Sequence, residues 1–301
     1  MLFGASRRYN RRMWTFIQEQ AQAQGFAQAY FTRPAKLTLW RQRADEAGVA
    51  GTLTHDVPGE YPWASCVILL VRAYRPFAPD ERISGYYVAQ NAGYHAAEAL
   101  ARDLAASTGK RFELTSTLPA RATALGSGIG TAGKNGLLRI DPYGSRIALY
   151  TLLTDACGPE ALQAPAIPCP EGCLLCADAC PAGAIAREAS AADTFLTQKK
   201  CLRFHMNKTP YADWVYPLLK KHMGCEVCMD ACPLNQPLGV AEPDAPLRAA
   251  FALERLLAGD TGQARQYVGR NATGNGKLLH EAYFFKHGVP FPPAPEDARA
   301  E

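Results

Sequence analysis

Apolar positions follow two rhythms along the first half of the chain. Residues 13 to 31 have helix-compatible spacing, and after Pro34 the stretch KLTLWRQRADEAGVAG reads as a second helix ending at Gly48 or Gly51. Cys66-Val67-Ile68-Leu69-Leu70-Val71 is a continuous β-branched and aliphatic run after Pro62, which predicts a strand buried on both faces. YYVAQNAGYHAAEALARDLAAST predicts a long helix that carries Tyr94 and His95 and is closed by Gly109. SRIALYTLLTD predicts a further strand, bracketed by Asp141 and Asp155. Strands alternating with helices imply an α/β layer.

The pattern changes after Asp155. Nine of the ten cysteines lie between Cys157 and Cys232, many beside Pro or Gly, which marks a small module organised by something other than a large apolar core. From about 241, PLRAAFALERLLAG predicts an amphipathic helix, and VPFPPAPEDARAE an extended or disordered tail. Three units are expected: 1–160, an α/β domain; 161–240, the cysteine module; and 241–301, a helical segment and tail. There are no repeats with periods of 20 to 50 residues.

Composition adds limits rather than a function. At 301 residues, 48% apolar and 20% charged, the chain is of ordinary globular type and long enough for a substantial core. A net charge of +4 does not by itself point to nucleic acid, and Arg7, Arg8, Arg11 and Arg12 read as a solvated helix face. QEQAQAQ stands where an export signal needs an apolar run, so neither an export signal nor a membrane span is expected. Cysteine-rich chains without a secretory signal are poor candidates for a disulfide framework, so a cytoplasmic, metal-binding protein is the reading.

The cysteine spacing is the strongest chemical signal. Cys173-x2-Cys176-x3-Cys180-Pro181 and Cys225-x2-Cys228-x3-Cys232-Pro233 echo each other as the halves of a bacterial ferredoxin do. In that arrangement two-residue spacing wraps one corner of an iron–sulfur cube, and the cysteine before proline reaches the second cluster. Cys169, Cys173, Cys176 and Cys232 are then assigned to one [4Fe-4S] cluster, and Cys225, Cys228, Cys180 and Cys201 to the other. The interval Cys169-x3-Cys173 is one residue longer than the bacterial pattern, which a loop containing Pro170 and Gly172 can absorb. Cys-x2-Cys knuckles also bind zinc, but zinc does not require the x3-Cys-Pro extension. Cys66 reads as a small core residue, and Cys157 has no assigned role.

A second motif, GSGIGTAGKN at 126–135, imitates two nucleotide loops. The phosphate-loop reading fails because Asn135 stands where a Ser or Thr hydroxyl must reach magnesium. The dinucleotide reading, which would make the chain a nicotinamide oxidoreductase, needs a strand immediately before the glycines; TSTLPARATAL is a poor one.

The order of YH on a helix, RATALGSGIGTAGKNGLL, GSRIALYTLLTD and the double-cluster cysteines resembles the cobalamin-dependent epoxyqueuosine reductases and, more distantly, the reductive dehalogenases. The likeness covers roughly 65 to 235. It implies a nitroreductase-like α/β domain holding a base-off corrinoid (cobalamin) against a ferredoxin-like module with two [4Fe-4S] clusters. One cluster would reduce cobalt to Co(I), and the outer one would take electrons from a low-potential donor such as ferredoxin or flavodoxin. Arg121, Gly128, Gly130, Gly133, Lys134, Asn135, Leu138 and Leu149 are the expected corrinoid-binding residues. Lys134 and Asn135 would donate to its amide and phosphate periphery.

Departures from that pattern bear on substrate. The family's general-acid Asp is matched here by Leu114, which carries no proton, unless Glu113 serves through a one-residue shift. Tyr74, Tyr94 and Glu113 are therefore the candidate proton donors, with Tyr143 also considered, because the dehalogenases are thought to use a tyrosine; His95 reads as a structural helix residue. Only 69 residues follow Cys232, so the family's tRNA-reading extension reads as cut short; with the acid lost at Leu114 this leaves tRNA a possible but doubtful partner, beside a small-molecule substrate or a corrinoid protein. The alternative is an electron-transfer partner that binds or reactivates a corrinoid protein without turnover of its own.

Overall fold

The computed structural model describes residues 2–46, 48, 53–156, 164–190, 195–207 and 209–292, with only the backbone of 2–10. Helix α1 (Leu2–Ala23) stops where Gly25 takes a φ of +81°, and the chain enters strand β1 (Gln28–Thr32). The helix predicted to residue 31 therefore ends early. Ala/Gln-rich sequence favours helix locally, but Tyr30 and Phe31 bury on opposite faces of a sheet, which alternation along a strand allows. Helices α2 (Thr38–Glu46) and α3 (Val57–Glu60) lead to β2 (Cys66–Ala73), and α4 (Gly85–Thr108) closes on Gly109 in the left-handed region, as its sequence predicts. Strand β3 (Phe112–Thr115), helix α5 (Ala120–Gly126), the hairpin strands β4 (Thr131–Ala132) and β5 (Leu138–Arg139), and β6 (Ile147–Thr154) complete the first half.

The main sheet has the order β1-β2-β6-β3 and every neighbouring pair is antiparallel. Strand β2 is central, so both its faces are covered. Ile68 and Leu70 meet Ile17, Leu100 and Leu104 from α1 and α4. Val67, Leu69 and Val71 point the other way, into Leu37, Leu118, Ile129 and Ile140. Each such aliphatic side chain contributes about 1.5–3 kcal/mol on burial. Cys66 is buried in this strand, as its sequence context predicts.

The cysteine module holds three short helices, α6 (Leu175–Ala179), α7 (Leu202–His205) and α8 (Val227–Asp230). Its small apolar centre is Leu202, Met206, Tyr211, Val215, Tyr216 and Leu219. The helix predicted after 241 is two, α9 (Ala245–Ala250) and α10 (Leu253–Leu257), separated at Phe251, and α11 (Gly262–Thr273) and α12 (Lys277–His287) follow. Glu281 of α12 is fully buried and accepts hydrogen bonds from the Tyr211 hydroxyl at 2.8 Å and the Met223 N–H at 3.0 Å, with His222 Nδ1 at 3.2 Å. One carboxylate thus ties the C-terminal helix to the chain entering Cys225. Arg11 and Arg12 are exposed on α1. Cys157 and residues 293–301 of the predicted tail lie outside the described residues. Among the described residues no helix is long and apolar enough to cross a membrane.

Candidate functional site

The module's thiols gather in two sets. Cys176 has Cys169, Cys232 and Cys173 as electrostatic neighbours, while Cys225 has Cys201 and Cys180. Cys228 adjoins Cys225, Cys201 and Cys180 and also Cys176, so the sets lie side by side. Local geometry explains the crossing. Cys176 and Cys228 sit within α6 and α8, and four residues of helix carry the chain about 6 Å onward to Cys180 and Cys232, away from the first thiol's set. Burial pushes the Cys225 thiol up to about 11 and Cys228 up to about 12. A metal centre must displace those protons, so its assembly is coupled to pH. Among the described residues, no three His, Cys, Asp or Glu side chains converge tightly enough to hold one metal ion. Two sets of four thiols match in number the corners of two polynuclear clusters.

A cavity of about 620 Å³ lies between the sheet layer and this module. Cys180, Cys201, Cys225 and Cys228 line its module side; Arg121, Asn135, Leu138 and Leu149 line the sheet side. Four of the eight expected corrinoid contacts therefore face this space. Gly128, Gly130, Gly133 and Lys134 are not among its lining residues. The described lining contains no histidine; Arg121, Asn135, Arg203 and Asn207 supply amide and guanidinium donors beside Leu138, Ile147, Leu149 and Met229. An apolar wall with a few such donors fits a large, flat, amide-fringed ligand.

None of the three proton-donor candidates lines the cavity. Tyr74 is buried behind it, with its hydroxyl 3.8 Å from Met229 Sδ and its ring against Tyr86, and burial raises its pKa. Tyr94 packs on the α1/α4 side of the sheet, its ring beside His95. Glu113 pairs with Arg111 at 2.7 Å on the surface, while its neighbour Leu114 packs into the sheet core, because successive strand residues point to opposite faces.

Two other tyrosines do face the cavity, Tyr86 and Tyr87 at the start of α4. Burial raises both, Tyr87 to about 12, with the guanidinium of Arg203 opposing the rise. Arg203 lies 5.5 Å from the Tyr87 ring centre, and the missing side chain of Gly224 makes room, since a Cβ there would be 3.2 Å from Tyr87 Cε2. Tyr87 thus stays protonated at neutral pH beside a cation able to stabilise its anion. The signal was the YY pair on the helix; Tyr94, two turns further along, leaves the cavity behind.

The glycine loop has two working sides. Asn135 lines the cavity and also accepts the Leu137 N–H at 3.2 Å. Lys134 turns toward the outer thiols: its ammonium donates to the Cys173 carbonyl at 2.8 Å. Arg139, at the hairpin base, donates to Cys169 Sγ at 3.0 Å. Burial pushes the Cys169 thiol up, but the Lys134 N–H and the Arg139 guanidinium outweigh this and hold it below the usual thiol value.

The cavity's position is fixed by a buried charge cluster. Glu226, between Cys225 and Cys228, accepts from the Ser84 hydroxyl at 2.6 Å, the Tyr86 N–H at 3.2 Å and Arg146 at 3.1 Å. It therefore caps α4 from across the interface, where the helix dipole favours an anion. Arg146 also pairs with Asp230. Neither Arg146 nor Glu226 stood out in the sequence.

No family model matches the chain. Curated relatives named epoxyqueuosine reductase do. The Bacillus subtilis protein is 32% identical over 126 residues, which is 40% of this chain and 30% of its own length. That of Synechococcus sp. is 35% identical over 116 residues, 38% of this chain and 34% of its own. The matches thus span about a third of these relatives. Among solved structures, epoxyqueuosine reductase from Streptococcus thermophilus superposes with a TM-score of 0.69 at 21% identity, covering 89% of this chain and 79% of that one. An epoxyqueuosine reductase with a tRNA-Tyr epoxyqueuosine-modified stem loop gives 0.65 at 18% identity, with coverage of 90% and 82%. The resemblance read from the loop and the cysteines is borne out by relatives of that name, and the fold is shared.

Proposed function

We propose that the chain is a cobalamin-dependent iron–sulfur reductase, with a nitroreductase-like sheet layer and a ferredoxin-like module carrying two [4Fe-4S] clusters. The observation that carries this is one cavity whose opposite walls are the thiols Cys180, Cys201, Cys225 and Cys228 and the loop residues Arg121, Asn135 and Leu138. When bound, the corrinoid supplies a low-valent cobalt centre and the clusters supply electrons singly. The protein's own part is to hold these groups together, exclude water and deliver a proton.

Epoxyqueuosine in tRNA is the substrate this reading favours, because the relatives bear that name. Opening the epoxide to the alkene takes two electrons and two protons and releases water. Leu114 cannot donate one of those protons, and Glu113 is turned away, so Tyr87 with Arg203 takes that role, with Tyr86 beside it. The outer set, Cys169, Cys173, Cys176 and Cys232, receives electrons from a ferredoxin- or flavodoxin-type donor. The same placement of Leu114 and Glu113 also favours a second reading, a corrinoid-reducing carrier with no substrate of its own.

Single-turnover assays with reconstituted protein, cobalamin and epoxyqueuosine-containing tRNA separate the two. The expected result is turnover that Tyr87→Phe slows by about 10²–10⁴-fold, while Tyr94→Phe leaves it unchanged. Cobalamin reduction without loss of the epoxide would support the carrier; full activity in both Tyr86→Phe and Tyr87→Phe would remove the tyrosines as donors.

A further inference from the structure

The glycine pattern of 126–135 is only half used by the cavity. Gly130 adopts a φ of +73°, and a Cβ there would lie 2.3 Å from the Arg139 carbonyl; one at Gly133 would lie 3.3 Å from Arg139 Nη1. These glycines let the hairpin fold tightly over Arg139 whether or not any ligand is present. Arg139 itself is 2% exposed, an expensive place for a guanidinium unless its charge is used. Its Nη1 donates to Cys169 Sγ at 3.0 Å and its Nη2 reaches the Ala132 carbonyl at 3.5 Å. Its Nε is buried with no hydrogen-bond partner among the described residues. Lys134 adds a second cation over the same segment, on the Cys173 carbonyl. Ile167 N–H donates to Thr131 Oγ1 at 3.1 Å, so the hairpin grips the chain on both sides of Cys169.

We propose that Arg139 is a potential-setting residue: its buried guanidinium, hydrogen-bonded to Cys169, raises the midpoint potential of the cluster held by Cys169, Cys173, Cys176 and Cys232 above the value that cluster would otherwise have. The inference rests on the cluster assignment above. Reduction adds one negative charge to the cluster, so a fixed cation and an N–H···S bond at one ligand favour the reduced state. Among the described residues the thiol that Arg139 hydrogen-bonds is Cys169, so its effect falls chiefly on the outer cluster. That makes the outer cluster an electron reservoir, filled by a donor before electrons pass inward to the set lining the cavity.

The test is an anaerobic redox titration of the reconstituted full chain, followed by electron paramagnetic resonance, in wild type, Arg139→Gln and Arg139→Lys. The outer cluster's signal is identified by its loss in Cys169→Ser. In R139Q that signal's midpoint is expected to move to more negative potential, with the other cluster unmoved, and R139K to fall between R139Q and wild type. If R139Q assembles only the inner cluster, R139K decides alone: a negative shift supports the proposal and an unmoved midpoint overturns it. Unmoved midpoints in both variants, or equal shifts of both clusters, also overturn it while leaving the two-cluster reading intact. A wild-type chain that takes up no iron–sulfur cluster overturns both.

Discussion

Arg146→Ala is expected to cost about 3–5 kcal/mol of stability, the penalty for removing one partner of a buried ion pair. Arg146 is 1% exposed and Glu226 3% exposed, and the guanidinium also holds Asp230, so the substitution strands a carboxylate where water cannot reach it. Ser84 and the Tyr86 N–H remain as donors but carry no charge to offset it. Because Glu226 stands between Cys225 and Cys228, the damage should reach the cavity as well as the fold. Arg146→Met combined with Glu226→Gln is expected to recover part of the loss, since the fully buried carboxylate goes with its cation and only the partly exposed Asp230 is left unpaired. Denaturant unfolding of the apo chain, followed by circular dichroism, measures both; a loss under about 1 kcal/mol for Arg146→Ala would place the pair in the class of exposed bridges.

Cys232→Ala carries the second large effect. By the two-set arrangement it removes a ligand of the cluster otherwise held by Cys169, Cys173 and Cys176, although Cys232 is distant from them in sequence. Iron per chain is expected to fall from about eight to about four, since each cube holds four. Cys66→Ala is expected to leave about eight, because Cys66 lies in β2 within the α1/α4 core. Elemental analysis of the anaerobically reconstituted chain gives the numbers; about two zinc ions and no iron would replace the clusters with knuckles.

Those cysteines were legible in the sequence because ligand spacing is a local property: an x2 interval and an x3 interval on a short helix determine which way each thiol leaves. The long runs were legible for the same kind of reason. Strands β2 and β6 and helix α4 stand where their apolar patterns predict them. Strand β1 was hidden because AQAQGFAQAY has the propensity of a helix, and only pairing with β2 overrides it. Strand β3, with four residues, is too short for a period to be read.

The cavity was half legible. Arg121, Asn135, Leu138 and Leu149 come from a motif, whereas Tyr87, Arg203 and Glu226 belong to the site only through the packing of α4 against the module. Sequence could suggest that a tyrosine replaces the lost acid at Leu114, but distance along α4 decides which one: Tyr94 shares the phase of Tyr87 and lies two turns, about 10 Å, further from the cavity. Lys134 and Arg139 make the opposite case. Lys134 was expected to donate to the corrinoid periphery and Arg139 carried no expectation; the fold turns them onto the Cys173 carbonyl and the Cys169 thiol.

The central claim is that a corrinoid occupies the cavity beside Cys180, Cys201, Cys225 and Cys228 without a histidine ligand. Electron paramagnetic resonance of cob(II)alamin mixed with the reconstituted chain tests it most directly. The account predicts that the splitting from the cofactor's own axial nitrogen disappears on binding, and that Arg121→Ala and Leu138→Trp restore the free spectrum. An unchanged base-on spectrum at saturating wild-type protein would contradict it.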